Sequence, residues 1–307
     1  MIEPLECLSC HEVYELDEFS SLCQCGGLLH IPASGEKMDA AGIDFEAASL
    51  WRYKNHFFPK GNEDWKEITM GEGFTPLIPL DADNPSIMLK LEYFAPFSGV
   101  YDRGFAAMAA MLKDSGMIEK EVSPMPHKER LAWRAYTHRA RIKEAVTDSG
   151  KLKDSFYYHP FFLAGIQTFA YEIGEQLTGN KLEYIVFPAV APAFIIGAFL
   201  GFKQLMKSEE IEEYPAFLLV ERDCVKNEND STFANEYIEK ILAITKGKRM
   251  TVAQSEISQA LRALEARFIK STEDDALIYA GFMRYYRDFS IKDQLAILPI
   301  GYMNGGR

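Results

Sequence analysis

Positive charge is the first scarcity. The 307 residues carry 33 Lys and Arg against 45 Asp and Glu, a formal charge of −12. Surfaces that hold nucleic acid or anionic membranes need the opposite balance, so both classes are set aside. Cysteine is also scarce. Five in this length do not make a disulfide scaffold. The opening Met1-Ile-Glu-Pro-Leu-Glu-Cys7 lacks the apolar core of a secretory leader, and a cytoplasmic protein is expected. No internal repeat is evident. Charged residues are scarce in one place: Tyr184 to Phe202 is 19 residues without a charge, long enough to cross a bilayer. Pro188 and Pro192 interrupt it, and each removes a backbone donor. The pattern therefore predicts a buried strand, Tyr184 to Phe187, a turn, and a helix from about Phe194 to Met206.

What is present begins with the cysteines. Four of the five lie in the first 25 residues, as Cys7-Leu-Ser-Cys10 and Cys23-Gln-Cys25-Gly26-Gly27. Two knuckles, the second ending in Gly, resemble a zinc ribbon, in which four thiolates converge on one tetrahedral ion. A segment this short has little core, so the metal would supply its folding energy. Residues 1–31 are assigned to this ribbon, with Cys7, Cys10, Cys23 and Cys25 as ligands of a structural zinc. Four ordinary reduced thiols are the other reading, and His11 and His30 are substitute ligands. The second knuckle is tighter than the common C-x-x-C. Cys224 stands apart and is expected to be buried and inert.

A linker, about Pro32 to Ala48, precedes the main body. Ile87 to Leu91, Ala216 to Val220 and Gln294 to Ile300 read as strands. Helices are expected over about Gly104 to Asp114, from Pro160 onward, from a capping box Thr251-Val-Ala-Gln254 to about Arg267, and from a Thr272 cap. Alternation of strands and helices gives an α/β fold. From His127 to Glu144 six basic residues face two acidic ones, a local +4 inside an acidic chain.

The landmarks resemble threonine synthase, of the fold type II (tryptophan synthase β-like) pyridoxal-phosphate enzymes. They are the ribbon, Ser49-Leu-Trp51-Arg52-Tyr53, Gly71-Glu72-Gly73-Phe74-Thr75-Pro76-Leu77, Leu89-Lys90-Leu91-Glu92, Asp102-Arg103-Gly104, Pro160-Phe161-Phe162-Leu163-Ala164-Gly165, Gly201-Phe202-Lys203 and the closing strand. The resemblance implies a large domain with a twisted sheet flanked by helices, formed by 49–104 and 159–307. By itself it also implies a lyase acting on phosphohomoserine.

The residues that would perform that chemistry do not match. In the family, the residue before Asp-Arg-Gly is the lysine that forms the cofactor's imine, and here it is Tyr101. A phenol forms no imine. Lys90, on the preceding strand, matches a lysine that does not hold the cofactor in the family. The Asn-Pro-Thr-Gly-Ser-Phe pattern reads Ala95-Pro96-Phe97-Ser98-Gly99-Val100. The glycine-rich phosphate cup reads Val190-Ala191-Pro192-Ala193, with bulk at Val190 and no N–H at Pro192. The segment facing the pyridine ring reads, on a looser match, Lys270-Ser271-Thr272-Glu273. Only 54 residues, Phe105 to Tyr158, stand where the family holds most of its small domain, so 105–158 is expected to be a remnant or replacement. Pyridoxal phosphate is expected to be absent.

Three functions follow. The first is a pseudoenzyme that binds a partner or ligand, through 127–144 with Trp133 and Tyr136, to an acidic protein or to another copy. The second is a pyridoxal-independent enzyme acting on a small carboxylate or phosphate compound. In it Tyr101 is the acid, Arg103 the anion clamp, Asp102 a neighbour, and Ser98, Gly99 and Thr75 contact the ligand. Against that, Asp102 could be a helix cap, Arg103 a structural ion pair and Tyr101 a filler. The third is threonine synthase itself, which Tyr101 disfavours on chemical grounds.

Overall fold

Two prolines divide the long uncharged stretch. In the computed structural model it becomes a strand, β6 (Tyr184–Pro188), a short turn, and a helix, α5 (Pro192–Lys207), that opens on proline at its first position. No helix among the described residues is long and apolar enough to cross a membrane. The structure describes residues 4–15, 22–33, 37–38, 42–58, 61–97, 99–115, 127–142, 156–177, 179–223, 232–291 and 293–301. Ser98, Cys224 and the end of the basic stretch at 143–144 lie outside them.

β6 belongs to a six-stranded sheet. The other strands are β4 (Leu77–Pro79), β5 (Ile87–Leu91), β7 (Ala216–Arg222), β8 (Lys248–Val252) and β9 (Ala296–Ile300), in the order β4-β5-β9-β6-β7-β8. β4 runs antiparallel to β5, and every other pair is parallel. Parallel strands covered on both faces read as continuous apolar runs. That is why Ile185-Val-Phe187, Phe217 to Val220 and Ala296 to Ile300 are fully buried and recognisable from sequence.

The helices are α1 (Trp65–Ile68), α2 (Tyr101–Ser115), α3 (His127–Ala140), α4 (Pro160–Leu177), α6 (Thr232–Ile244), α7 (Gln254–Glu265) and α8 (Glu273–Phe289). α4 packs on α2 and α5, and α8 lies against β6, β7, β8 and β9. The α2–α4 approach depends on Gly165, where a Cβ would fall 2.1 Å from the Arg103 carbonyl oxygen. Thr272 caps α8 as expected: its hydroxyl accepts from the Asp275 N–H at 3.3 Å, and Asp275 accepts from the Thr272 N–H at 2.7 Å. The Thr251 box is corrected. Thr251 stays in β8, and α7 begins after Ala253, whose N–H donates to Glu256 at 2.9 Å.

Among the described residues of 105–158 there are two helices and no strand. The basic stretch forms α3, but Trp133 and Tyr136 do not face outward. Both are buried, with Trp133 against Phe105 and Phe156, while Arg130, Leu131, Arg134, His138 and Arg141 are exposed. The described part of the linker is packed too: Ile43 and Ala47 are buried, and the Asp44 N–H bonds the Arg52 carbonyl at 2.8 Å. A separate antiparallel sheet, β2 (Val13–Tyr14), β1 (Leu5–Cys7) and β3 (Leu29–His30), lies in the N-terminal segment, with β3 against α4.

Candidate functional site

The chain enters α2 through a tight turn. Gly99 has φ +69°, its carbonyl accepts from the Asp102 N–H at 3.2 Å, and the Asp102 carboxylate accepts from the Phe97 N–H at 2.7 Å. Asp102 is fully buried in this capping arrangement.

One residue on, Arg103 enters a buried ionic joint. Its Nη2 donates to Glu92 at 2.9 Å and its Nη1 to Glu172 at 2.6 Å. Lys90 forms a second ion pair with Glu172 and also donates to the Thr75 carbonyl at 2.5 Å. The Thr75 hydroxyl donates to Glu92 at 2.7 Å, and the Phe74 N–H to Glu172 at 2.7 Å. The four charged side chains have no exposure, and their charges cancel. Burial alone would raise the Glu172 carboxyl, but Arg103 and Lys90 overcome it and hold it at about 2. Of the expected site residues, Thr75 and Arg103 therefore meet, and what they bind is the protein itself. Lys90 is held by the same network.

Glu172 was not among the expected residues. The signal was available: α4 runs from Pro160 to Tyr171 without a charge, and Glu172 follows between Tyr171 and Ile173, both buried. A carboxyl on the apolar face of a helix either meets a cation or is pushed towards its neutral form.

Tyr101 has different company. It is buried, with its ring 5.5 Å from Phe162 edge-on and 5.5 Å from Tyr157. Phe105, Phe156 and Trp133 extend the cluster. Burial, then the nearby Glu129 and Tyr158, push the Tyr101 phenol well above its ordinary value. The Tyr157 hydroxyl donates to Glu129 of α3, and burial raises that carboxyl to about 7. The loop residue Glu72 is likewise pushed by burial to about 7. It accepts from the Trp51 indole at 2.7 Å, the Met70 N–H at 2.8 Å, Thr69 at 3.0 Å and the Tyr136 hydroxyl at 3.3 Å.

These surroundings do not fit pyridoxal phosphate. Tyr101 offers no amine and is packed among aromatic rings. Beyond β6, the N–H groups of Ala189 and Ala191 are taken by the Val220 and Pro188 carbonyls at 2.9 and 3.2 Å, and Pro192 has none. At most Val190 and Ala193 remain as donors in a place where a phosphate needs several.

The N-terminal three-stranded segment presents four convergent sulfurs. All lie within 4.8 Å of one another, with Cys7 to Cys25 at 3.6 Å and Cys10 to Cys23 at 3.5 Å. Tetrahedral zinc at its usual bond length separates sulfurs by about 3.8 Å, so the donor set fits such an ion. The Ser9 and Cys25 N–H groups point at Cys7 and Cys23, both at 3.4 Å, and the Tyr14 hydroxyl lies 3.0 Å from Cys23. Gly27 is required, since a Cβ there would fall 2.7 Å from the Cys7 sulfur. The histidines stand aside: His11 bonds Glu6 at 2.6 Å, and the buried His30 bonds the Glu6 carbonyl at 2.8 Å, burial lowering it to about 4.

No protein-family model matches the chain. The threonine synthase of Methanocaldococcus jannaschii is 23% identical over 268 residues, covering 72% of this chain and 65% of that protein, just under two thirds of the relative's length. Among solved structures, serine racemase from Dictyostelium discoideum superposes with a TM-score of 0.59 at 15% identity, over 78% of this chain and 96% of that one. A threonine deaminase from Solanum lycopersicum gives 0.55 at 18% identity, over 76% and 80%. The chain therefore has weak homology to threonine synthase and the α/β fold seen in fold type II pyridoxal-phosphate enzymes.

Proposed function

We propose that this chain is a threonine-synthase-like pseudoenzyme: a cytoplasmic protein on the fold type II scaffold that does not use pyridoxal phosphate and works by binding a partner or ligand. One observation carries the reading. The position that the resemblance gives to the imine-forming lysine holds Tyr101, wedged against Tyr157 and Phe162. The Val190 to Ala193 turn, poor in free donors, supports it. The second catalytic reading is weaker because Arg103 is saturated by Glu92 and Glu172, so it has no open face for a substrate carboxylate. On this proposal 105–158 replaces the small domain, and 1–31 is a ribbon holding structural zinc on Cys7, Cys10, Cys23 and Cys25.

The partner surface on this reading is the outer side of α3, where Arg130, Leu131, Arg134 and Arg141 are exposed. It suits an acidic protein or the acidic body of a second copy. The deciding experiment is to express the protein with excess pyridoxal, record its spectrum, reduce it with borohydride and map any pyridoxyl-lysine by mass spectrometry. A colourless, unmodified protein is expected. A yellow protein with a fixed pyridoxyl group on any lysine overturns the proposal.

A further inference from the structure

Strand β2 is two residues long, and the alternation of a strand sends its side chains to opposite faces. Val13 faces outward, 60% exposed. Tyr14 is half-buried opposite Leu5 of β1, on the face that Leu5 shares with Cys7. From there the Tyr14 hydroxyl reaches two neighbouring residues of the second cysteine knuckle. It lies 3.0 Å from the Cys23 sulfur and accepts from the Gln24 N–H at 3.2 Å. The Cys23 sulfur also accepts from the Cys25 N–H at 3.4 Å. This knuckle, Cys23-Gln24-Cys25, has a single residue between its sulfurs and little chain of its own to aim them. The sense of the tyrosine–sulfur bond follows from chemistry. Cysteines hold zinc as thiolates, which only accept. The Gln24 N–H already uses the Tyr14 oxygen as an acceptor, so the phenolic proton points at Cys23.

We propose that Tyr14 is a positioning residue for the metal: its hydroxyl clasps the short Cys23-Gln24-Cys25 knuckle, donating to the ligand sulfur and accepting from the backbone beside it. The inference rests on the zinc assignment proposed above and goes beyond it by naming what holds the tighter knuckle in shape. A hydrogen bond to a coordinated sulfur fixes its direction and withdraws charge from it. Outer partners of this kind are worth roughly 10- to 100-fold in metal affinity. Withdrawn charge also leaves the sulfur's electrons more tightly held, which raises the energy of sulfur-to-metal charge transfer. The two effects are separable. Affinity falls with any loss of order in the segment, whereas the charge-transfer energy follows the donor at the sulfur.

The test uses the full chain, with cobalt(II) as a spectroscopic stand-in for zinc. Tyr14→Phe is expected to weaken zinc binding roughly 10- to 100-fold in competition with a chromogenic chelator, and to move the sulfur-to-cobalt band to lower energy. Val13→Thr, on the same strand with its side chain outward, should change neither. Protein made with ring-fluorinated tyrosine keeps the side chain and strengthens its phenol as a donor, so the band should move to higher energy. That measurement decides if Tyr14→Phe does not fold. Wild-type affinity and an unmoved band in Tyr14→Phe overturn the proposal. So does weakened binding with an unmoved band, which would make Tyr14 a packing residue only. A wild-type chain that takes up neither ion fails the zinc assignment and this inference with it, and that outcome is read on the unmutated protein before any variant is compared.

Discussion

Tyr101 and Arg103 stand two residues apart on the first turn of α2, and they face two kinds of interior. Arg103 enters a joint in which every charge has a counterpart: Lys90 and Arg103 against Glu92 and Glu172. Tyr101 enters a cluster of rings beside Glu129, a carboxyl with its charge-free form favoured by burial. Thr75, Lys90, Glu92 and Arg103, from segments that resemble the family, meet Glu172 in the joint, which holds β5, α2 and α4 together. On the proposed reading, Tyr101 stands where a cofactor's tether would have been.

The largest way to break that comparison is Arg103→Met. It leaves two carboxylates buried with one cation, and a loss of about 3–5 kcal/mol in urea unfolding is expected. If the variant unfolds at the wild-type midpoint, the joint is not structural. Tyr101→Lys comes next. A lysine among rings should destabilise by more than about 2 kcal/mol, whereas Tyr101→Phe should stay within about 1 kcal/mol. Tyr101→Lys should also remain colourless with pyridoxal phosphate, and a stable imine band would show the old pocket to be intact.

Acid sharpens the contrast further. Glu172 is depressed in the folded state, so its contribution is present above 4.5 and is lost as pH falls towards 2. The urea midpoint should decline below pH 4, and Glu172→Gln should flatten that limb. Smallest for the body of the protein is metal removal. A chelator should release about one zinc per chain and abolish exchange protection in the ribbon while leaving α5 protected. A metal-free preparation with a protected ribbon would refute the zinc assignment.

Much of the fold could be read in advance because its signals are local. β5 was placed to the residue, β6 nearly so, and Thr272 was found as a cap, since apolar runs and capping patterns are written in adjacent residues. Thr251 misled because a T-x-x-Q pattern also fits a strand end, and the working pair proved to be Ala253 and Glu256. The Tyr101 surroundings were not legible. Glu129 and Tyr157 come from a region with no family pattern, and their meeting depends on how α3 lies. Trp133 and Tyr136 were read as contact residues for the same reason: a basic helix does not reveal from its charges which side is buried.

β9 occupies the centre of the sheet, although it is the last of the described strands along the chain. β5 and β6 do not pair with each other. Each hydrogen-bonds to β9. During translation the β4–β5 and β6–β8 halves must therefore wait, each with an open edge, until residues 296–300 leave the ribosome. Open edges invite mispairing with other nascent chains, a hazard that ends when β9 slides between the halves.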